Sequence, residues 1–422
     1  MTELSVHKHI YGAPSFPDVK EASSALVLGS NGISGWNMIN QLCLHPDRWH
    51  TVYSVSRTVQ SPDDKFPKQL KHIPIDLLSA PEQIASILVH HNVKPDYVFF
   101  FAYIQAKAKP TEGIWSDHEE MTRVNVALLK NLLDALEIAK IIPKRFMLQT
   151  GGKHYGVHLG SARIPSLEDD PRVPGPPNFY YNQEDLVFEW AKRNGAQWNV
   201  ARPSTVIGFA RRAYMNYVLP FSIYAVVQRH LGQKLIWPAD QSSYDKPFSV
   251  STAALNAILE EWAVLNPNVA NESFNAEDGE VFTHAILWPM LAKFYNMEYT
   301  TPVDDEKDSN VKYMENTLPY PPPKGYGPKA VLRTKFTITE WASQEKVKKA
   351  YYEIAEKQGL PKDFIDDFEI MGFADATIMG GDPILFSMTK ARKNGYLAYA
   401  DSYNSFIDTL NDMIRFKVCA KP

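Results

Sequence analysis

The first chemistry in the chain is written in glycine. Gly29-Ser30-Asn31-Gly32-Ile33-Ser34-Gly35 follows the apolar run Ala25-Leu26-Val27-Leu28 and leads into a helical pattern from Trp36. At the C-terminal end of a strand, residues without a Cβ let the backbone approach a pyrophosphate, and the unpaired N–H groups of the next helix face its negative charge. The spacing is G-x-x-G-x-x-G with no Gly-Lys-Ser/Thr behind it, which disfavours a nucleoside-triphosphate loop. A dinucleotide turn of this kind would be built from Gly29, Asn31, Gly32, Ile33 and Gly35. Further on, where such a unit usually places a carboxylate for the ribose 2′-hydroxyl, the second apolar run ends Val55-Ser56-Arg57. A hydroxyl and a guanidinium both bind a 2′-phosphate, so Ser56 and Arg57 favour NADPH over NADH. After the third run, Asp76-Leu77 offers a carboxylate that could accept a hydrogen bond from the adenine amine.

Such residues need strand ends to hold them. Short β-branched or aromatic runs recur at Ala25 to Gly29, Thr51 to Ser56, His72 to Ile75, Tyr97 to Ala102, Arg145 to Thr150 and Trp198 to Ala201. Helical patterns lie between them; in Val124 to Ala139, for instance, Val124, Leu128, Leu132, Leu133 and Leu136 share one face. This rhythm predicts an α/β fold, a Rossmann-type doubly wound parallel sheet with helices on both faces. After Gly208 the strands thin out, prolines and aromatics become frequent, and Pro319 to Pro328 reads as a loop, an inserted rim or lid element. Tyr403, Phe406, Ile407, Leu410 and Ile414 have the spacing of a closing helix. The expected division is a nucleotide-binding domain over 22–207 with a returning strand near 271–276, and a smaller, mostly helical substrate lobe over 208–270 and 277–422.

Composition narrows the classes. A chain of 422 residues, 45% hydrophobic and 22% charged, is an ordinary globular protein. Its 44 basic and 48 acidic side chains give a net charge of -4, which leaves no footprint for nucleic acid. Cys43 and Cys419 form neither a disulfide framework nor a thiolate zinc motif. The start of the chain lacks a secretory pattern, and the longest apolar run, Tyr97 to Ile104, is far short of the ~20 residues of a membrane span, so a soluble, cytoplasmic protein is expected. His90-His91, Glu119-Glu120, Asp169-Asp170 and Asp366-Asp367 lack metal-ligand spacing, and no metal is expected.

Three further strings carry the reactive groups. They are Leu148-Gln149-Thr150-Gly151-Gly152-Lys153-His154-Tyr155-Gly156, then Asn178-Phe179-Tyr180-Tyr181-Asn182-Gln183-Glu184-Asp185, then Ala201-Arg202-Pro203-Ser204-Thr205-Val206-Ile207-Gly208-Phe209. Their order resembles the extended short-chain dehydrogenase/reductase superfamily. The usual Tyr-x-x-x-Lys pair is missing, because Glu184 and Asp185 stand four positions after Tyr180 and Tyr181. One branch instead takes its lysine from T-G-x-K-H-Y and its tyrosine from F-Y-Y-x-x-E-D. Both strings are present, and the chain resembles that branch, the progesterone 5β-reductase/iridoid synthase-like (PRISE) family. Phe274-Asn275, Asp278-Gly279, Leu287-Trp288, Phe373-Ala374-Asp375, Ser387-Met388 and Lys390 extend the resemblance over almost the whole chain.

The resemblance implies NADPH-dependent delivery of hydride to the β-carbon of an enone or enal, a medium-sized apolar molecule of the specialised-metabolite kind. It assigns Tyr180 and Lys153 as the catalytic pair, both also touching the cofactor, with Ala102, Thr150, Pro203 and Val206 near the nicotinamide. Hydride arriving at the β-carbon pushes charge onto the carbonyl oxygen, and a phenol placed there stabilises the enolate. A neighbouring ammonium would support phenolate character, and the α-carbon proton could come from solvent. Two departures reshape the pocket: Ala210-Arg211-Arg212 follows Gly208-Phe209 where the family commonly has Ser-Pro, and Phe101-Ala102-Tyr103 stands where it often has Thr-Trp. Tyr103, Tyr181 and Phe373 are candidate substrate contacts, with an aromatic core role the preferred reading of Tyr181. Asn125 either supports the end of the fourth strand beside the nicotinamide or is a polar core buttress. Carbonyl reduction, a cyclase or isomerase reaction, and an NADPH-sensing regulatory protein without turnover stay open as alternatives, as does a homodimer.

Overall fold

The apolar runs pair in parallel, in the order that a nucleotide-binding sheet requires. In the computed structural model, which describes residues 8–17, 21–58, 67–107, 114–305, 307, 311–378, 380 and 382–422, six strands follow the first half of the chain. They are Ser23–Leu28 (β1), Trp49–Ser56 (β2), Leu70–Pro74 (β3), Tyr97–Phe100 (β4), Arg145–Gln149 (β5) and Gln197–Pro203 (β6). Thr205–Ile207 (β7) and Val250–Thr252 (β8) pair with each other, and Glu272–Ala276 (β9) returns to the main sheet beside β6. The sheet order is β3-β2-β1-β4-β5-β6-β9, all parallel. Strand order reverses between β1 and β4, where Leu28 lies between Val55 and Phe100. In doubly wound sheets the crevice at that reversal holds the ligand.

Helices cover both faces. Ile33–Cys43 (α1) lies on one side; Pro81–His90 (α2), His118–Ile138 (α3) and Phe179–Asn194 (α4) lie on the other. Val124, Leu128, Leu132, Leu133 and Leu136 of α3 are all buried, as their spacing predicts. The helix starts earlier than that apolar pattern, at His118, because the Asp117 carboxylate caps it by accepting from the Glu120 N–H at 2.9 Å.

Beyond β7 the chain builds a mainly helical layer from Val218–His230 (α5), Ala253–Leu265 (α6), His284–Phe294 (α7), Glu345–Gln358 (α8), Phe368–Ile378 (α9) and Ser402–Arg415 (α10). Helix α6 packs beside α1 under the sheet. The others share an aromatic core in which Tyr217, Tyr224, Trp237, Trp288, Tyr295 and Tyr351 are fully buried. The α10 pattern closes on this core through Phe406, Leu410 and Met413. The proline-rich stretch is the loop of a hairpin between Met314–Thr317 (β10) and Val331–Thr334 (β11). Among the described residues no helix is long and apolar enough to cross a membrane.

Candidate active site

The turn after β1 is tight at each point where the sequence has glycine. Gly29 has φ +80°, and a Cβ there would lie 2.7 Å from the Ala102 nitrogen at the end of β4. A Cβ on Gly35 would lie 2.8 Å from the Ser30 Cα. Helix α1 begins without a side-chain cap and with no acidic residue in its first turn. Its leading N–H groups are therefore left for an anion. Asn31 Nδ2 donates to the Thr58 carbonyl at 2.9 Å, while Asn31 Oδ1 is buried with no partner among the described residues. These features fit a dinucleotide: a cradle that a side chain would fill, an open helix end and unspent polar atoms.

A cavity of about 600 Å³ runs from this turn across the strand ends into the C-terminal layer. Its lining brings together Gly29, Asn31, Gly32, Ile33, Gly35, Ser56, Arg57, Asp76, Leu77, Ala102, Thr150, Lys153, Tyr180, Pro203 and Val206, together with Tyr103 and Phe373. Arg57 is exposed at the end of β2. The Ser56 hydroxyl is spent locally, donating to the Thr58 carbonyl at 2.7 Å, which leaves the exposed Arg57 as the cation at this end of the cavity. Asp76 is exposed and accepts from the Leu78 N–H at 3.0 Å.

Lys153 and Tyr180 come from different elements, tied by their neighbours. Lys153 lies in the short turn Gly152–Tyr155 after β5, and Tyr180 opens α4. Asn178 joins them: its side-chain oxygen accepts from the Tyr180 N–H at 3.1 Å, and its amide donates to the Lys153 carbonyl at 2.8 Å. The Tyr180 hydroxyl lies 3.3 Å from where a Cβ on Gly151 would stand, so the glycine leaves room for it. Burial raises the Tyr180 phenol well above its ordinary value, keeping it a proton donor at neutral pH. Burial also lowers the Lys153 ammonium to about 7. The ammonium sits 4.1 Å from the centroid of the Trp115 ring, and its charge is felt by His118 and His158.

Glu184 occupies the place of the missing lysine. It is 2% exposed, and its carboxylate accepts from Arg202 Nη2 at 3.0 Å. Burial opposes its charge, but His154 and Arg202 together hold the carboxyl below its ordinary value. A lysine there would meet the Arg202 guanidinium.

Some expected contacts fall elsewhere. Tyr181 does not reach the cavity: its hydroxyl accepts from the Val173 N–H at 2.9 Å and donates to the His154 carbonyl at 2.7 Å, fastening the loop to α4. Asn125 supports the segment that follows β4, exchanging bonds of 2.9 Å with both the N–H and the carbonyl of Ile104, which lines the cavity. Arg212 lines the cavity but pairs with Asp363 at 2.5 Å and Asp367 at 2.9 Å, while the Arg211 guanidinium lies 5.0 Å from the Phe416 centroid. Gln149, Trp115, His158, Ser204 and Lys246 also line the cavity. Gln149 and Ser204 stand directly beside Thr150 and Pro203 in the strings already singled out, whereas Trp115, His158 and Lys246 carry no local signal. Among the described residues no group of His, Cys, Asp and Glu is arranged to hold a metal.

Comparison with known proteins gives the family. Residues 25–319 match the PRISE-like Rossmann-fold domain. The chain is 30% identical over 416 residues to an uncharacterized protein of Schizosaccharomyces pombe, covering 94% of this chain and 98% of that one. It is 29% identical over 412 residues to an (S)-8-oxocitronellyl enol synthase of Camptotheca acuminata, covering 94% and 93%. The 3-oxo-Delta(4,5)-steroid 5-beta-reductase of Arabidopsis thaliana is 26% identical over 410 residues, covering 95% and 94%. Among solved structures, the UDP-glucose 4-epimerase of Thermotoga maritima shares the fold, with a TM-score of 0.51 at 18% identity, covering 66% of this chain and 86% of that one. Since the family match runs through the glycine turn, Lys153 and Tyr180, the chain belongs to the PRISE family, a branch of the short-chain dehydrogenase/reductase superfamily of nucleotide-dependent oxidoreductases.

Proposed function

We propose that the protein reduces the carbon–carbon double bond of an enone or enal with NADPH. The observation that carries this reading is the Tyr180 phenol, kept protonated by burial, facing the cavity and held beside Gly151. With the pyrophosphate at the glycine turn, a nicotinamide beside Ala102, Thr150 and Val206 would supply the hydride. Tyr180 donates to the carbonyl oxygen as charge grows there, which stabilises the enolate. Lys153, near its midpoint of protonation at neutral pH, adds positive potential to the same wall. The apolar side chains of Phe179, Phe373 and Phe386 exclude water around the reacting carbon. Arg57 supports selection of the 2′-phosphate and hence NADPH.

The test is NADPH oxidation with a panel of cyclic and acyclic enones, the product identified by NMR. A saturated ketone, with turnover lowered about 10²–10³-fold in Tyr180→Phe, is the expected result. An allylic alcohol as product would replace this reading with carbonyl reduction. Tight NADPH binding with no turnover of any enone would refute it.

A further inference from the structure

One buried charge in the cavity wall is left unused by this chemistry. Lys246 is 5% exposed and lines the cavity beside Phe248, Ala376 and Ile384. Among the described residues its ammonium donates a single long hydrogen bond, 3.3 Å to the Thr377 carbonyl on α9, and it lies 5.5 Å from the centroid of Phe248. An ammonium has three donors, and leaving two of them dry is costly unless an acceptor arrives. Two titratable groups face it. Asp382 is half-buried at the cavity wall and its charge favours the ammonium from a distance, but among the described residues no ion pair within 4.0 Å joins it to Lys246. His284, on α7, is held neutral by burial, with the Lys246 charge adding to the effect; its nitrogens lie 2.9 Å from the Tyr217 hydroxyl and 3.2 Å from the Ser243 carbonyl. Neither supplies a close countercharge. Burial lowers Lys246 only to about 8, so the group is still largely charged at neutral pH.

We propose that Lys246 anchors a carboxylate of the substrate on the wall contributed by the C-terminal layer, while the reacting carbonyl sits at Tyr180. The substrate is then an acid-bearing enone rather than a wholly apolar one. The surrounding Phe248, Ala376 and Ile384 side chains raise the value of that charge pairing by excluding water. The assignment of the other end of the molecule rests on the enone reading above; anion binding at Lys246 does not.

The experiment titrates the protein–NADP⁺ complex by calorimetry with cyclohexenones carrying a carboxylate on arms of increasing length, each beside its methyl ester. At neutral pH at least one acid should bind about tenfold or more tightly than its ester. Lys246→Met and Lys246→Gln should both abolish that preference, and Lys246→Arg should retain it. The preference should decline as pH rises past the ammonium's deprotonation. Equal binding of acid and ester at every arm length, or a preference that survives in Lys246→Met, overturns the proposal. The same compounds assayed for NADPH oxidation separate the two ideas: a preferred acid that is never reduced defeats the enone reading alone, and esters reduced without any acid preference defeat the anion site alone.

Discussion

Replacing Lys153 with methionine should make the protein more stable while removing its proposed activity. In the fold the ammonium falls from an ordinary 10.5 to about 7 because of burial. At about 1.36 kcal/mol per pH unit, that amounts to as much as about 5 kcal/mol held against folding at pH 7. The contact over the Trp115 ring returns about 1–2 kcal/mol of it, and water reaching the cavity returns more. Methionine matches the length of the side chain and carries no charge, so a net gain of about 1–3 kcal/mol is expected. The pH dependence fixes the sign. Below pH 7 both states of the wild type carry the proton and the gap is full; between 7 and 10.5 only the unfolded state does, and the gap closes with rising pH. Urea unfolding of both proteins from pH 6 to 10 reads this directly. A variant less stable at pH 6, or a gap that widens towards pH 10, would refute the burial argument.

Three other outcomes follow from the site. Glu184→Leu leaves the Arg202 guanidinium, 4% exposed, without its carboxylate and should cost about 3–5 kcal/mol by denaturant unfolding. Since the Glu184 carboxyl is lowered in the fold, its contribution is complete above 4.5 and lost as pH falls through the folded value; the variant should lack that acid-side slope. Gly35→Ala drives a Cβ into the Gly29–Ser30 backbone, and fluorescence titration should show cofactor affinity reduced by about tenfold or more. Arg57→Ala should weaken NADPH about 10–100-fold and NADH little; equal losses would remove Arg57 from 2′-phosphate recognition.

Much of the frame was legible because it depends on local periodicity. Alternating and continuous apolar runs dictate strands, and the glycines mark where the backbone must come close to something. The Lys153 and Tyr180 strings were legible only through their likeness to a family, since nothing in their spacing says that residues 27 positions apart share a wall. Their joint placement depends on Asn178, which bonds to both segments at once.

The sequence by itself determined the doubly wound sheet and the tight glycine turn after its first strand. Only the tertiary structure decided which of two adjacent tyrosines faces the cavity. A helix rotates successive residues by about 100°, so Tyr180 and Tyr181 cannot point the same way. Their direction is set by what the helix packs against: the Val173 N–H and the His154 carbonyl hold Tyr181, and the space above Gly151 receives Tyr180. The same holds for Lys246. Its charge is visible in the chain, but its burial exists only once the chain around Phe248 packs against α9, because desolvation belongs to the assembled surroundings and not to the residue.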